Sequence, residues 1–104
     1  MRRVLHGDVV AAARVLLATA PERRPGLLGR MLREADAADA HRRATGRAHP
    51  VWGTGSLMSA ALARTRAPEP YLDDPDYAGC MAQVFEALVA RAQNASARTE
   101  APGR

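Results

Sequence analysis

The chain has 104 residues, 15 of them basic and 11 acidic, for a net charge of +4. That length fits one domain with its own hydrophobic core and leaves no room for a second. The single cysteine, Cys80, excludes an intramolecular disulfide and a cysteine-based zinc site, and it fits a reducing compartment. No run approaches the roughly 18 apolar residues of a transmembrane helix, so no membrane association is expected.

All 15 basic residues are arginine, and the chain has neither lysine nor isoleucine. Their codons are AT-rich, whereas those of arginine and the abundant alanine are GC-rich. A GC-rich genome accounts for the bias, so each arginine need not be a phosphate-binding fork. The charge is unevenly spread. Residues 1–66 carry twelve arginines against five acidic residues, and residues 67–104 carry three against six. The first part, at +7, suits an acidic partner. The competing reading is that the two parts neutralise each other within the fold.

Met1-Arg2-Arg3 and Ala18-Thr19-Ala20 imitate the ends of a secretory signal. Asp8 and Arg14 leave only Val9 to Ala13 uninterrupted between them, too short for an h-region of about 7 to 15 residues. A cytoplasmic location is expected. The first helix is predicted from Asp8, as N-cap, to Ala20, with Val9, Val10, Ala13, Leu16 and Leu17 at helical spacing. Pro21 ends it. The second runs from about Pro25 to Thr45, with Gly46 just past its end. Its stripe of Leu28, Met31, Leu32 and Ala35 continues into Ala38, Asp39 and Arg42, so two charged residues extend an apolar face.

A loop from Arg47 to Gly55 holds Trp52, the one tryptophan. A short third helix, about Ser56 to Arg64, turns Leu57, Met58, Ala61 and Leu62 inward. The fourth opens at Asp74-Pro75 with Asp76 in its first turn, and its stripe is Tyr77, Cys80, Met81, Val84, Phe85 and Leu88. After Asn94 the pattern ends. The expected organisation is one helical domain over residues 1–93 and a flexible polar tail over 94–104. Four amphipathic helices with short connections make an all-α fold, a compact four-helix bundle or an orthogonal array.

Few residues combine into chemistry. Asp36, Asp39 and His41 resemble a metal or acid–base set, but His41 points about 160° away from Asp39 on a helix, and two carboxylates alone bind metal poorly. Asp39 and Arg42 are about 60° apart and form a structural pair at the core edge. Gly53-Thr54-Gly55-Ser56 precedes a helix, yet phosphate-binding fingerprints need a preceding strand. Cys80 falls on an apolar stripe with no activating neighbour in sequence. No catalytic residue, metal or cofactor is expected.

The densest basic run is His41 to His49. Arg43, Arg47 and His49, leading into Trp52, could form a patch for an acidic protein surface or a nucleic-acid backbone. The same letters suit helix-end cations and a tryptophan that plugs the core. A helix-turn-helix fits badly, because the connection to the third helix spans about ten residues instead of the usual three or four. The segments His6-Gly7-Asp8, Ala35 to Arg43, His49-Pro50-Val51-Trp52-Gly53 and Asp73 to Tyr77 resemble a small bacterial protein family of unknown function, over about residues 1 to 92. That resemblance implies no activity and no functional residue. The function expected from the sequence is therefore a non-enzymatic helical protein-interaction module, with regulation among the roles open to it and with partner-binding residues Arg43, Arg47, His49 and Trp52; the runner-up is a small nucleic-acid-binding domain.

Overall fold

Apolar residues at helical spacing give four helices, α1 (His6–Leu17), α2 (Arg24–Thr45), α3 (Leu57–Leu62) and α4 (Pro75–Glu100), with a 3-10 turn at Pro21–Arg23 leading into α2. The structure, a computed structural model, describes residues 1–100, and the side chains of residues 1–97. Among the described residues the only strand-like pairing is one bridge between His49 and Gly53. The fold is an all-α compact globule, as the periodicity predicts. No helix among the described residues is long and apolar enough to cross a membrane.

The core sits around α1, which packs against α4 and α3, while α2 closes over α3. Ala11, Ala12, Ala13, Val15 and Leu16 are all buried, so α1 is enclosed on nearly every side. Its run of alanines lets neighbouring helices approach closely, and the larger Val9, Val15 and Leu16 fill the gaps. Leu28, Met31 and Leu32 of α2, Leu57 of α3, and Tyr77, Cys80, Met81 and Val84 of α4 complete the cluster. Each large apolar side chain buried in this way contributes about 1.5–3 kcal/mol relative to exposure.

Helix ends depart from the expected pattern in instructive ways. Asp8 lies inside the first turn of α1 and is not its N-cap. One of its carboxylate oxygens accepts from the Leu5 amide (2.7 Å) and the other from the Met58 amide (2.8 Å). A single buried side chain thereby satisfies free amides at the starts of α1 and α3. Ser56 caps α3 by accepting from the Ser59 amide, and Asp74 caps α4 by accepting from the Tyr77 amide. Gly46 ends α2 in the left-handed region at φ 74°.

Two predicted core positions are corrected. Phe85 and Leu62 are about half exposed, whereas Met58 is partly buried against the core and Ala60 takes an inward place on α3. At six residues α3 is too short to repeat its apolar stripe, so one turn faces inward and Leu62 emerges at the end. Trp52 is also outside the core, and the large buried aromatic is Tyr77.

The fourth helix continues to Glu100, beyond the end expected near Asn94. From Ala92 to Ala97 every residue is exposed. Residues 101–104 of the expected tail lie outside the described residues. Between α3 and α4, the Arg14 guanidinium donates to the Ala67 carbonyl and the Ala67 amide returns a bond to the Arg14 carbonyl. That exchange holds the proline-containing connection against α1.

Candidate interaction site

The last two turns of α2 carry Asp39, Arg42 and Arg43, and the following loop folds back along them. Gly55 makes this return possible. A Cβ there would lie 2.6 Å from the Asp39 Cα, and φ is +95°, so both space and backbone conformation require glycine. The N-terminal segment joins the same corner through a 2.8 Å bond from the Arg2 amide to the Gly55 carbonyl.

Asp39 is 1% exposed, and its carboxylate is surrounded by cations. Arg42 and Arg43 each approach to 2.8 Å and the Met1 amine to 3.3 Å. The hydrogen bond from Arg42 holds this carboxyl below its ordinary range, against the opposing effect of burial. Beside it, Asp36 pairs with Arg91 of α4 at 2.8 Å and with the Met1 amine at 3.0 Å. Burial would raise the Asp36 carboxyl, but the bonds from Arg91 and the Met1 amine lower it on balance.

Against this corner opens a cleft of about 670 Å³ between the N-terminal segment, the end of α2 and the start of α3. Arg2, Arg3, Arg42 and Arg43 line it, together with the apolar side chains of Leu5 and Met58. The Arg2 and Arg3 side chains are exposed, and neither forms an ion pair or a hydrogen bond among the described residues. Chemically the cleft offers guanidinium donors above an apolar surface.

Of the residues singled out by sequence, Arg43 is exposed and directed into the Asp39 pair. Arg47 is exposed, with its backbone bonded to the Thr45 hydroxyl and its side chain unpaired among the described residues. His49 and Trp52 meet face to face, with ring centroids 4.7 Å apart and planes 10° from parallel. His41 meets His49 in a T-shaped arrangement, with ring centroids 5.0 Å apart. The His49 Nδ1 accepts from the amides of both Val51 and Trp52, so the imidazole also shapes the turn beneath the tryptophan. Both rings remain partly exposed.

The structure thus joins His49 with Trp52 along the final turns of α2, while Arg43 belongs to the adjoining Asp39 corner. Sequence reasoning found the Asp39–Arg42 pair and missed the contributions of Arg2, Arg3 and Met58 to the cleft. The i, i+4 spacing of Asp39 and Arg43 could have revealed the second partner; the approach of the N-terminal segment is a tertiary event without a local signal. No group of three or more metal-ligating side chains gathers among the described residues.

Comparison with curated proteins and with solved structures finds no match. A family model described as "Domain of unknown function (DUF7742)" matches residues 2–88, which take in all of α1, α2 and α3 and the packed part of α4. The chain belongs to this domain family.

Proposed function

We propose that this domain is a non-enzymatic interaction module that docks an acidic protein through the arginine-rich end of α2. The observation carrying this reading is the excess of cations there. Arg42 and Arg43 share one buried carboxylate, Asp39, while Arg2, Arg3 and Arg47 have no side-chain partner among the described residues. An electropositive surface of this kind attracts acidic partners and accelerates their encounter. Trp52, partly exposed on its His49 support, supplies a rigid aromatic anchor in the loop that follows Arg47.

The test is capture of partners by the full chain, followed by their identification. Changing Arg43 and Arg47 together to Ser should remove an acidic partner from the captured set and leave the helical spectrum unchanged. Trp52→Ala should reduce capture more than it reduces thermal stability. Retention of the same partner by both variants would overturn the reading. Capture of nucleic acid with a steep log-linear salt dependence would replace it with nucleic-acid binding.

A further inference from the structure

The cleft beside Asp39 has a composition that narrows the chemistry of its occupant. Its charged side chains are four arginines, Arg2, Arg3, Arg42 and Arg43, against two carboxylates, Asp8 and Asp39, leaving a side-chain surplus of two positive charges. Neither carboxylate is idle. Asp8 already accepts the Leu5 and Met58 amides, and Asp39 already accepts Arg42 and Arg43. The surplus is carried by the guanidinium groups that face solvent, those of Arg2 and Arg3 above all.

The same lining holds Leu5, 70% exposed, and the partly buried Met58. Met58 is held near the first turn of α1, where a Cβ on Gly7 would come within 2.9 Å of its terminal methyl. Gly7 thus leaves room for a flexible thioether that can adjust to an incoming apolar group. An exposed leucine next to an adaptable methionine and a pair of unpaired arginines is a surface for two kinds of atom at once.

We infer that this cleft binds a short acidic segment of a partner protein, one that places an apolar side chain against Leu5 and Met58 and flanking carboxylates against Arg2 and Arg3. The inference rests on the acidic-partner reading above and gives that partner a local motif. Carboxylates suit the arginines through paired, charge-assisted hydrogen bonds, and the apolar side chain gains from leaving water. A nucleic-acid backbone would use the arginines but leave the apolar surface without a counterpart. The aromatic platform that could stack a base is engaged with His49 in the turn outside the cleft lining. Protein is therefore the better match.

The experiment uses the full chain with any tag placed after residue 104 and two fluorescent peptides with blocked ends, one alternating Glu and Leu and one of Glu and Ser with equal charge. Fluorescence anisotropy should show the leucine peptide binding at least about tenfold more tightly than its serine counterpart. Arg2→Ser with Arg3→Ser should weaken the leucine peptide about tenfold or more, and Leu5→Ser should reduce its preference over the serine peptide. Arg23→Ser with Arg30→Ser, at the opposite end of α2, serves as the control and should leave binding unchanged. Because Arg2, Arg3 and Leu5 are exposed, circular dichroism should show each variant folded.

Equal affinity for the two peptides, no binding of either, or indifference to the Arg2, Arg3 and Leu5 changes would overturn the cleft assignment. So would tighter binding of single-stranded DNA of equal charge than of the leucine peptide. If native partner capture still depends on Arg43 and Arg47 in those cases, the broader acidic-partner reading survives while the cleft assignment falls. Loss of that dependence would remove the broader reading as well.

Discussion

The two ends of α2 bury opposite charges and answer them differently. At the start, Arg24 is 8% exposed and its guanidinium makes a two-pronged contact with the more exposed Asp76 of α4, at 2.8 and 3.3 Å, while its Nε donates to the Thr19 carbonyl. At the other end, Asp39 is buried and receives several cations from outside. The first arrangement is one cation with one anion, its hydrogen bonds spoken for. The second leaves positive charge unanswered at the surface. A balanced buried pair explains itself as structure, whereas a surplus beside an open cleft invites an external anion. The difference separates a structural contact from a candidate docking surface even though both are built from arginine and aspartate.

The strongest break in this comparison is expected at Gly55, which lies against the backbone of Asp39. Gly55→Ala combines a steric overlap with an unfavourable positive φ and should cost more than about 3 kcal/mol in chemical denaturation. Gly46 also has positive φ, but a Cβ there meets nothing within 4 Å. Gly46→Ala should therefore cost only about 1–2 kcal/mol. Equal costs would mean that the crowded packing of the loop on α2 does not govern this end.

Next in size is a comparison of outside partners. Asp76→Asn leaves buried Arg24 without its carboxylate, whereas Arg42→Ala leaves Asp39 with Arg43 and the Met1 amine. Thermal melting should fall by several degrees for the first and by less for the second. The reverse order would show that the extra cations do not substitute for one another.

The pH profile sharpens the same point. The carboxyls of Asp39 and Asp76 are held low by hydrogen bonds from Arg42 and Arg24 respectively. Their stabilising contribution is full above the unfolded-state carboxyl range, near pH 4, and is lost as pH falls through the lower folded-state values. Melting midpoints should consequently drop below about pH 4, with a shallower acid loss in Asp39→Asn. At high pH, burial raises both the Cys80 thiol and the Tyr77 hydroxyl. Stability associated with their neutral forms is full below the unfolded values, about 8.5 and 10, and declines as pH rises toward the folded-state values. A profile flat on both sides would contradict these linkages.

The smallest expected effect lies beside Asp76. Tyr77 is fully buried, yet its hydroxyl has no hydrogen-bond partner among the described residues. Tyr77→Phe removes that uncompensated group while keeping the ring, so stability should be unchanged or raised by up to about 1 kcal/mol. A clear loss in denaturant unfolding would reveal a polar contact maintained by the hydroxyl.

Local chemistry made much of the fold legible. The apolar spacing marked all four helices; Gly46 ended α2 as expected, and Asp74-Pro75 opened α4. Asp39 and Arg42, extending an apolar stripe, announced a pair at the core edge. Long-range relationships were less legible. Asp8 looked like a purely local cap; it does accept the Leu5 amide, but its second partner, the Met58 amide, is 50 residues away, and Phe85 looked internal because helical period does not show which part of a broad face another helix covers. The same limit concealed the cleft, whose walls come from separated segments. Arg43, Arg47, His49 and Trp52 could be named as neighbours in sequence, but their division into a salt-bridged corner and a stacked turn required the folded chain.

The shared carboxylate of Asp8 gives the smallest helix a dependence on a distant part of the chain. Six residues are too few for an isolated helix to be stable, and α3 receives one of its first amide bonds from α1. Fraying of α3 alone therefore does not free the Met58 amide unless its bond to Asp8 also opens. In hydrogen exchange, the protection of that amide becomes a reporter of how firmly the beginning of α1 stays docked, so exchange at residue 58 and opening near residue 8 are expected to follow the same local unfolding event.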